Sequence, residues 1–316
     1  MPGFTTHYLF GLTTSKHIQP GRLTQQIQQH PNAFTIGLQG PDLFFYYLPC
    51  YLNRKGNIGV IAHEAATGTL LQYLLKSYSL FSREKDKSIA ASYITGFLGH
   101  YILDTTCHPY IYAKSHYGNK KNYTSRHMYL ETDIDGEMLS YYQGIRPSRF
   151  HQNRVVLLTH REQAVISRIL NYAFRNTFRE YRFSPGFMRR ALRSFYVNLS
   201  LLYDRNGRKK ALLRKIEGLL FHRACISTLI GNDVLTFTRD PLNLRHRRWC
   251  NPWDTNQSSR ESFFDLFRSA CEKYKAVLNQ VEQFFSLSVG TIQYQSLLQE
   301  LSHTLGSKSY HSGLAV

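Results

Sequence analysis

A few histidines and carboxylates fall at spacings that could do chemistry. His100-Tyr-Ile-Leu-Asp104 places an imidazole and a carboxylate four residues apart, and Asp104-Thr-Thr-Cys-His108 repeats the step. Residues four apart share a helix face, so His100, Asp104 and His108 form one stripe about two turns long. A carboxylate between two imidazoles can bridge two cations. His127-Met-Tyr-Leu-Glu131 is a second pair of this kind. Fourteen histidines and 21 acids among 316 residues give about one such match by chance, and two occur. A surface His–carboxylate contact is therefore the plain alternative for either. The His100 pair is harder to dismiss, because it lies in the apolar run Tyr93–Leu103, which should be buried. Buried imidazole and carboxylate need partners or a metal, and the two together suit zinc.

Other fragments carry less. His63-Glu64 follows an apolar Gly59-Val-Ile-Ala but lacks the second histidine of a zinc-protease motif, so a satisfied core histidine is its simplest reading. Leu38-Gln-Gly-Pro-Asp42 puts Asp42 at a helix start, where it would cap whether or not it also binds metal. Cys107 beside His108 could be a thiol nucleophile, though the histidine is better explained as a ligand. The sequence has no Gly-rich phosphate loop, no G-x-S-x-G elbow and no dinucleotide fingerprint.

The elements that must position these residues read as helices. Helical periodicity covers roughly 22–29, 43–51, 58–81, 85–113, 126–142, 153–179, 185–203, 208–230, 259–287 and 289–305. Breaks fall at Gly40-Pro41-Asp42, Asn53–Gly56, His116–Asn122, Gly144–Ser148, Asp204–Gly207 and Asn251-Pro252. Pro109 should end or kink its helix, and residues 307–316 read as a frayed tail. Strand signals are scarce, so the expected class is all-α, a multi-helix bundle with a metal cluster between helices. Residues 1–205 would form the catalytic region and 206–316 a helical region packed on it in one unit.

Composition narrows the partners. Lys and Arg number 39 against 21 acids, a net charge of +18, which favours nucleic acid, phospholipid head groups or phosphate-bearing substrates. Five scattered cysteines without metal-finger spacing argue against a secreted disulfide framework. No basic-then-apolar leader opens the sequence, and the most apolar run, 89–103, is short for a bilayer span. A cytoplasmic protein with no transmembrane segment is the expectation.

Taken in order, His7, Asp42, His63, His100, Asp104, His108, His127 and Glu131 resemble the zinc-dependent phospholipase C family, whose helical fold and three-zinc site are shared with single-strand-specific nucleases. The resemblance covers about residues 1–135. It implies one zinc on Asp42, His63, His100 and Asp104, and a second on His108, His127 and Glu131. It implies a third on His7, Asp104 and the chain's amino terminus, with Asp104 bridging. That terminus would be Pro2 after loss of Met1, where the family typically has Trp. The Asp104–His108 spacing is short for the family, which leaves His116 as the substitute for His108. Two to three zincs follow, with Asp42 orienting or deprotonating an attacking water as the catalytic residue.

The second half offers two features. Asp240–Asp254 packs Trp249 and Trp253 beside basic residues and resembles a segment of the family's bacterial members. It reads either as a loop closing over the site or as a packed surface turn. Asn206–Lys215 is basic and partly amphipathic, a solvated helix face or one that lies on anionic lipid. The expected function is zinc-dependent phosphodiester hydrolysis, of the phospholipase C type on a phospholipid head group. A nuclease or other phosphodiesterase on the same site is the alternative, and a non-catalytic basic protein binding lipid or nucleic acid is a second one.

Overall fold

Glu84–Lys114 forms a 31-residue helix on which most of the structure packs. At 1.5 Å per residue it is about 46 Å long. Glu84 and Asp86 in its first turn and Lys114 in its last suit the helix dipole, and from Ser88 to Tyr112 almost every residue is buried. The computed structural model describes residues 3–16, 20–116 and 123–316.

Among these residues the helices run in the order α1 (Phe4–Ser15), α2 (Arg22–Gln29), α3 (Pro31–Gly37), α4 (Ile58–Glu64), α5 (Thr67–Lys76), α6 (Glu84–Lys114), α7 (Tyr123–Gln143), α8 (His160–Thr177), α9 (Pro185–Leu202), α10 (Arg208–Phe221), α11 (Phe263–Ser286) and α12 (Ile292–Leu305). One antiparallel hairpin, β1 (Trp249–Asn251) and β2 (Asp254–Ser259), is the only sheet among the described residues. The all-α class holds. Helices α1, α2, α3, α8 and α11 lie against α6. No described helix is long and apolar enough to cross a membrane, and the 89–103 run is core.

Several expected elements are corrected. Residues 43–51 form 3-10 turns, Gly40–Tyr46 and Leu48–Cys50, and not an α-helix. Expected helix 58–81 is broken at Ala66, whose φ of 53° starts a new helix. The helix expected from 153 begins at 160 under a Thr159–Glu162 capping box, and the one expected to reach 230 stops at Phe221. Helices α1 and α3 and the hairpin at 249–259 were not expected. Pro109 neither ends α6 nor breaks its run. The Thr105 carbonyl that its missing N–H frees faces Gly313 of the C-terminal segment.

That segment is not frayed. Tyr310 is fully buried, its N–H donates to the His63 carbonyl at 2.9 Å, and Lys308 bridges Ala315. An aromatic ring locked under α6 gains more than a loose tail would lose in chain entropy.

Candidate metal centre

The long helix supplies the spine. His100, Asp104 and His108 project from one face of α6 and are all fully buried. Position is fixed by a close crossing with α3: a Cβ on Gly37 would lie 2.2 Å from the Tyr93 carbonyl, and one on Gly96 would lie 2.2 Å from the Phe34 carbonyl. This contact brings the Leu38 carbonyl to 3.1 Å from His100 Nδ1. The chain then turns at Gly40, φ +48°, so close that a Cβ would fall 2.2 Å from His100 Cδ2. Asp42 follows in the same turn. No side-chain cap bond forms at this turn's start, so the capping role expected of Asp42 is absent. Its carboxylate points instead at His63 Nε2, 3.1 Å away, and at His100 Nε2, 3.8 Å away.

His63 arrives from α4, with Nδ1 donating to the Gly59 carbonyl at 2.6 Å. His7 arrives from α1, stacked on the His100 ring at 4.4 Å, with Nε2 3.1 Å from Asp104 Oδ1. Helix α1 has no cap of its own; Asp135 of α7 accepts from Thr5 N–H, Thr6 N–H and the Thr6 hydroxyl at 2.6–2.9 Å and so anchors His7. Helix α7 also supplies His127 and Glu131, 2.8 Å apart. His108 joins them, with Nε2 3.8 Å from Glu131 Oε1 and Nδ1 donating to the Tyr310 carbonyl at 2.6 Å.

Three groups of donors result: His7, Asp42 and His100; His63, His100 and Asp104; and His108, His127 and Glu131. Within each, the ligand atoms all lie within 4.8 Å of one another. Asp104 touches His7, His63 and His100 on one side and His108 on the other, at 3.6 Å. The eight residues singled out from the sequence therefore meet in one place. His116 does not; it is exposed at the end of α6. Met1 and Pro2 lie outside the described residues.

The donor set fits cations. His63, His100 and His108 each use Nδ1 on a backbone carbonyl, which fixes the tautomer and leaves Nε2 as a free donor. These Nε2 atoms, both nitrogens of His7, Asp42 Oδ1 and both oxygens of Asp104 are buried without a hydrogen-bond partner. So many unsatisfied polar atoms facing one point would be costly unless a metal completes them. Burial drives His63, His100, His108 and His127 below the ordinary imidazole value and His7 down to about 3, so the rings stay neutral. Burial also raises Asp104, and burial together with the Asp104 charge raises Asp42. Cys107 is buried with its thiol pushed well up by desolvation, so it offers no nucleophile.

Above the donors opens a cleft of about 290 Å³. Asp42, His127 and Glu131 reach it from the donor cluster, and Phe45, Tyr46, Tyr51, Tyr112, Met128 and Leu229 also line it. Sequence reasoning missed His311, which also lines the cleft, stacks over His63 at 5.6 Å and meets Glu64 at 3.4 Å. It also missed Asp135, whose signal was its place four residues after Glu131. The 240–254 segment does not close over the cleft, since none of its residues lines it. Trp249 donates to the Glu261 carbonyl and packs on Tyr110, and Trp253 backs the wall residue Tyr112 at 4.7 Å.

Nitrogen and oxygen donors clustered beneath an open cleft fit the open type of metal arrangement, so fold and site together define a helical protein with buried groups that could hold metal. The zinc-dependent phospholipase C family matches residues 6–187, more than half of the chain, and the chain belongs to that family. All eight donors fall inside the match; Tyr310 and His311 lie beyond it. No curated protein and no solved structure matches.

Proposed function

We propose that this protein is a zinc-dependent phosphodiester hydrolase that cleaves a phospholipid head group in the manner of a phospholipase C. The observation that carries the reading is the set of buried, unpartnered nitrogen and oxygen atoms converging under an aromatic-walled cleft. His7, Asp42, His63, His100, Asp104, His108, His127 and Glu131 would hold two to three zinc ions. Zinc bound there would lower the pKa of water and neutralise charge on phosphoryl oxygens.

The chain's own residues do the rest. Asp42 lines the cleft with Oδ1 unpaired, placed to orient an attacking water or to take its proton. Carbonyl-held imidazoles keep the donors aimed without reorganisation. Phe45, Tyr46, Met128, Phe195 and Leu229 give the cleft an apolar wall that excludes water and accommodates a lipid backbone. Tyr46, Tyr51 and Tyr112 in the same lining also suit a stacked base, which keeps nuclease activity as the second reading.

Elemental analysis joined to ester assays tests this. About two to three zincs per chain, with phosphate-ester release from dispersed phospholipid, support the proposal. Activity on single-stranded nucleic acid alone selects the second reading. Zinc-free protein that stays zinc-free when the metal is offered back removes both.

A further inference from the structure

Helix α10 is built inside out. Of its fourteen residues only Lys210 and Glu217 are buried. Lys210 Nζ donates to the Ile230 carbonyl at 2.8 Å. Glu217 accepts from the N–H groups of Cys225, Ile226 and Ser227 and from the Ser227 hydroxyl at 2.6–3.1 Å. Its large apolar residues face outward instead: Leu212 is 60% exposed, Leu219 79%, Leu220 67% and Phe221 58%. At 100° per residue, Leu212, Ile216, Leu219 and Leu220 fall within one arc of about 100° to one side of Glu217, with Arg208 and Lys215 at its edge.

Leaving such a surface in water forfeits the usual gain of burial, and a contiguous exposed apolar patch marks an interaction site. Charge selects the occupant. Arg205, Arg208, Lys209, Arg214, Lys215 and Arg223 are exposed on this helix or next to its ends, and the chain carries +18 overall. A second copy would bring the same positive helix against itself. The fit is an anionic, apolar-cored surface: long basic side chains reach outward to charged head groups while leucines enter the boundary below them.

The patch is also tied to the cleft. The four bonds from Glu217 hold the 3-10 turn Ile226–Leu229, and Leu229 lines the cleft wall. Leu48, Tyr51 and Leu52 form a second exposed apolar stretch, and Tyr51 lines the same cleft. Helix α10 and the cleft wall are thus joined through a single turn.

We propose that α10 is an interfacial helix that docks the protein on anionic phospholipid bilayers. This goes beyond the hydrolase reading, since vesicle binding and ester hydrolysis can each fail alone. The full-length, zinc-loaded protein is sedimented with phosphatidylcholine vesicles containing about 30% phosphatidylserine, and with phosphatidylcholine alone. Phosphate-ester release in the same tubes checks lipid consumption. Expected is binding to the anionic vesicles, weakened by salt, and reduced about tenfold or more in L219Q/L220Q and in R208E/K215E. Unchanged melting temperature and zinc content show that these variants are folded. Equal binding by the variants and the parent overturns the proposal, as does absence of binding to anionic vesicles. So does a concentration-dependent dimer in ultracentrifugation that L219Q/L220Q abolishes, because that gives the face to a second copy.

Discussion

The carbonyl of Tyr310 lies 2.6 Å from Nδ1 of His108, across 202 residues of sequence. A carbonyl only accepts, so this nitrogen carries the proton and Nε2 of His108 is presented to Glu131 and His127. The same residue's N–H holds the carbonyl of His63. One residue outside the family match thus orients one imidazole inside it and holds the backbone of another. Deleting residues 308–316 should lower zinc affinity about tenfold or more, the scale at which outer-shell partners act. Tyr310→Phe, which keeps both backbone bonds, should retain full zinc. Metal titration of both variants checks this, and a truncation with parental affinity refutes it.

Asp104 is expected to reverse its effect with metal. Without zinc it is a buried carboxyl whose oxygens have no hydrogen-bond partner, and Asp104→Asn should leave melting unchanged or raise it. With zinc at about a thousandfold over its dissociation constant, the parent gains about 4 kcal/mol, and the variant should lose most of that gain. Melting curves with zinc and with chelator give both signs.

Asp42→Asn should separate holding from reacting. Remaining donors should keep at least part of the metal, while kcat falls about a hundredfold or more if Asp42 takes the proton. Zinc analysis beside kinetics decides it: full zinc with full activity removes Asp42 from the chemistry.

Gly40→Ala should be among the most damaging small substitutions. It combines a positive φ with a Cβ that would fall 2.2 Å from the His100 ring, a cost of about 3 kcal/mol or more. Gly144 also has positive φ but nothing within 4 Å, so Gly144→Ala should cost only about 1 kcal/mol. Chemical denaturation in chelator compares the two.

Acid should weaken the metal-free fold. The five site imidazoles have values lowered by burial, His7 to about 3. The unfolded chain takes up protons below about 6.5 while the folded one does not. Stability present above that value is lost as pH falls, by up to about 1.4 kcal/mol per pH unit for each imidazole. Asp42 and Asp104, raised by burial, act in the opposite sense: their contribution is lost as pH rises through the raised values. Five groups against two give net loss from pH 7 to 5. Denaturation midpoints in chelator across that range should fall with acid, and a flat or rising profile contradicts the assignment.

Much of the site was legible because α6 writes its ligands at helical spacing. His100, Asp104 and His108 could be placed on one face before any fold was known, and α2 and α6 have nearly the boundaries that their periodicity gave. What was not legible came from tertiary geometry. Asp42 looked like a cap, and only the fold shows that Gly40 turns it toward His63. Pro109 looked like a break, yet packing on every side of α6 carries the helix through it. Residues 307–316 looked loose, because nothing in Ser-Lys-Ser-Tyr-His announces that Tyr310 will be fully buried. Basic, partly amphipathic Asn206–Lys215 read as a solvated face or as one lying on anionic lipid, and only the fold shows Lys210 and Glu217 inward and the leucines outward.

The reach of Tyr310 also bears on the order of events during folding. Bonds closed over 202 and 247 residues form only after the intervening helices have collapsed, because loop closure must precede their reward. The helical scaffold can then condense around α6 with the His108 imidazole still free to turn, and this one donor becomes fixed in its tautomer at the final step. Completion of the His108, His127 and Glu131 group is accordingly expected late, after assembly of the scaffold.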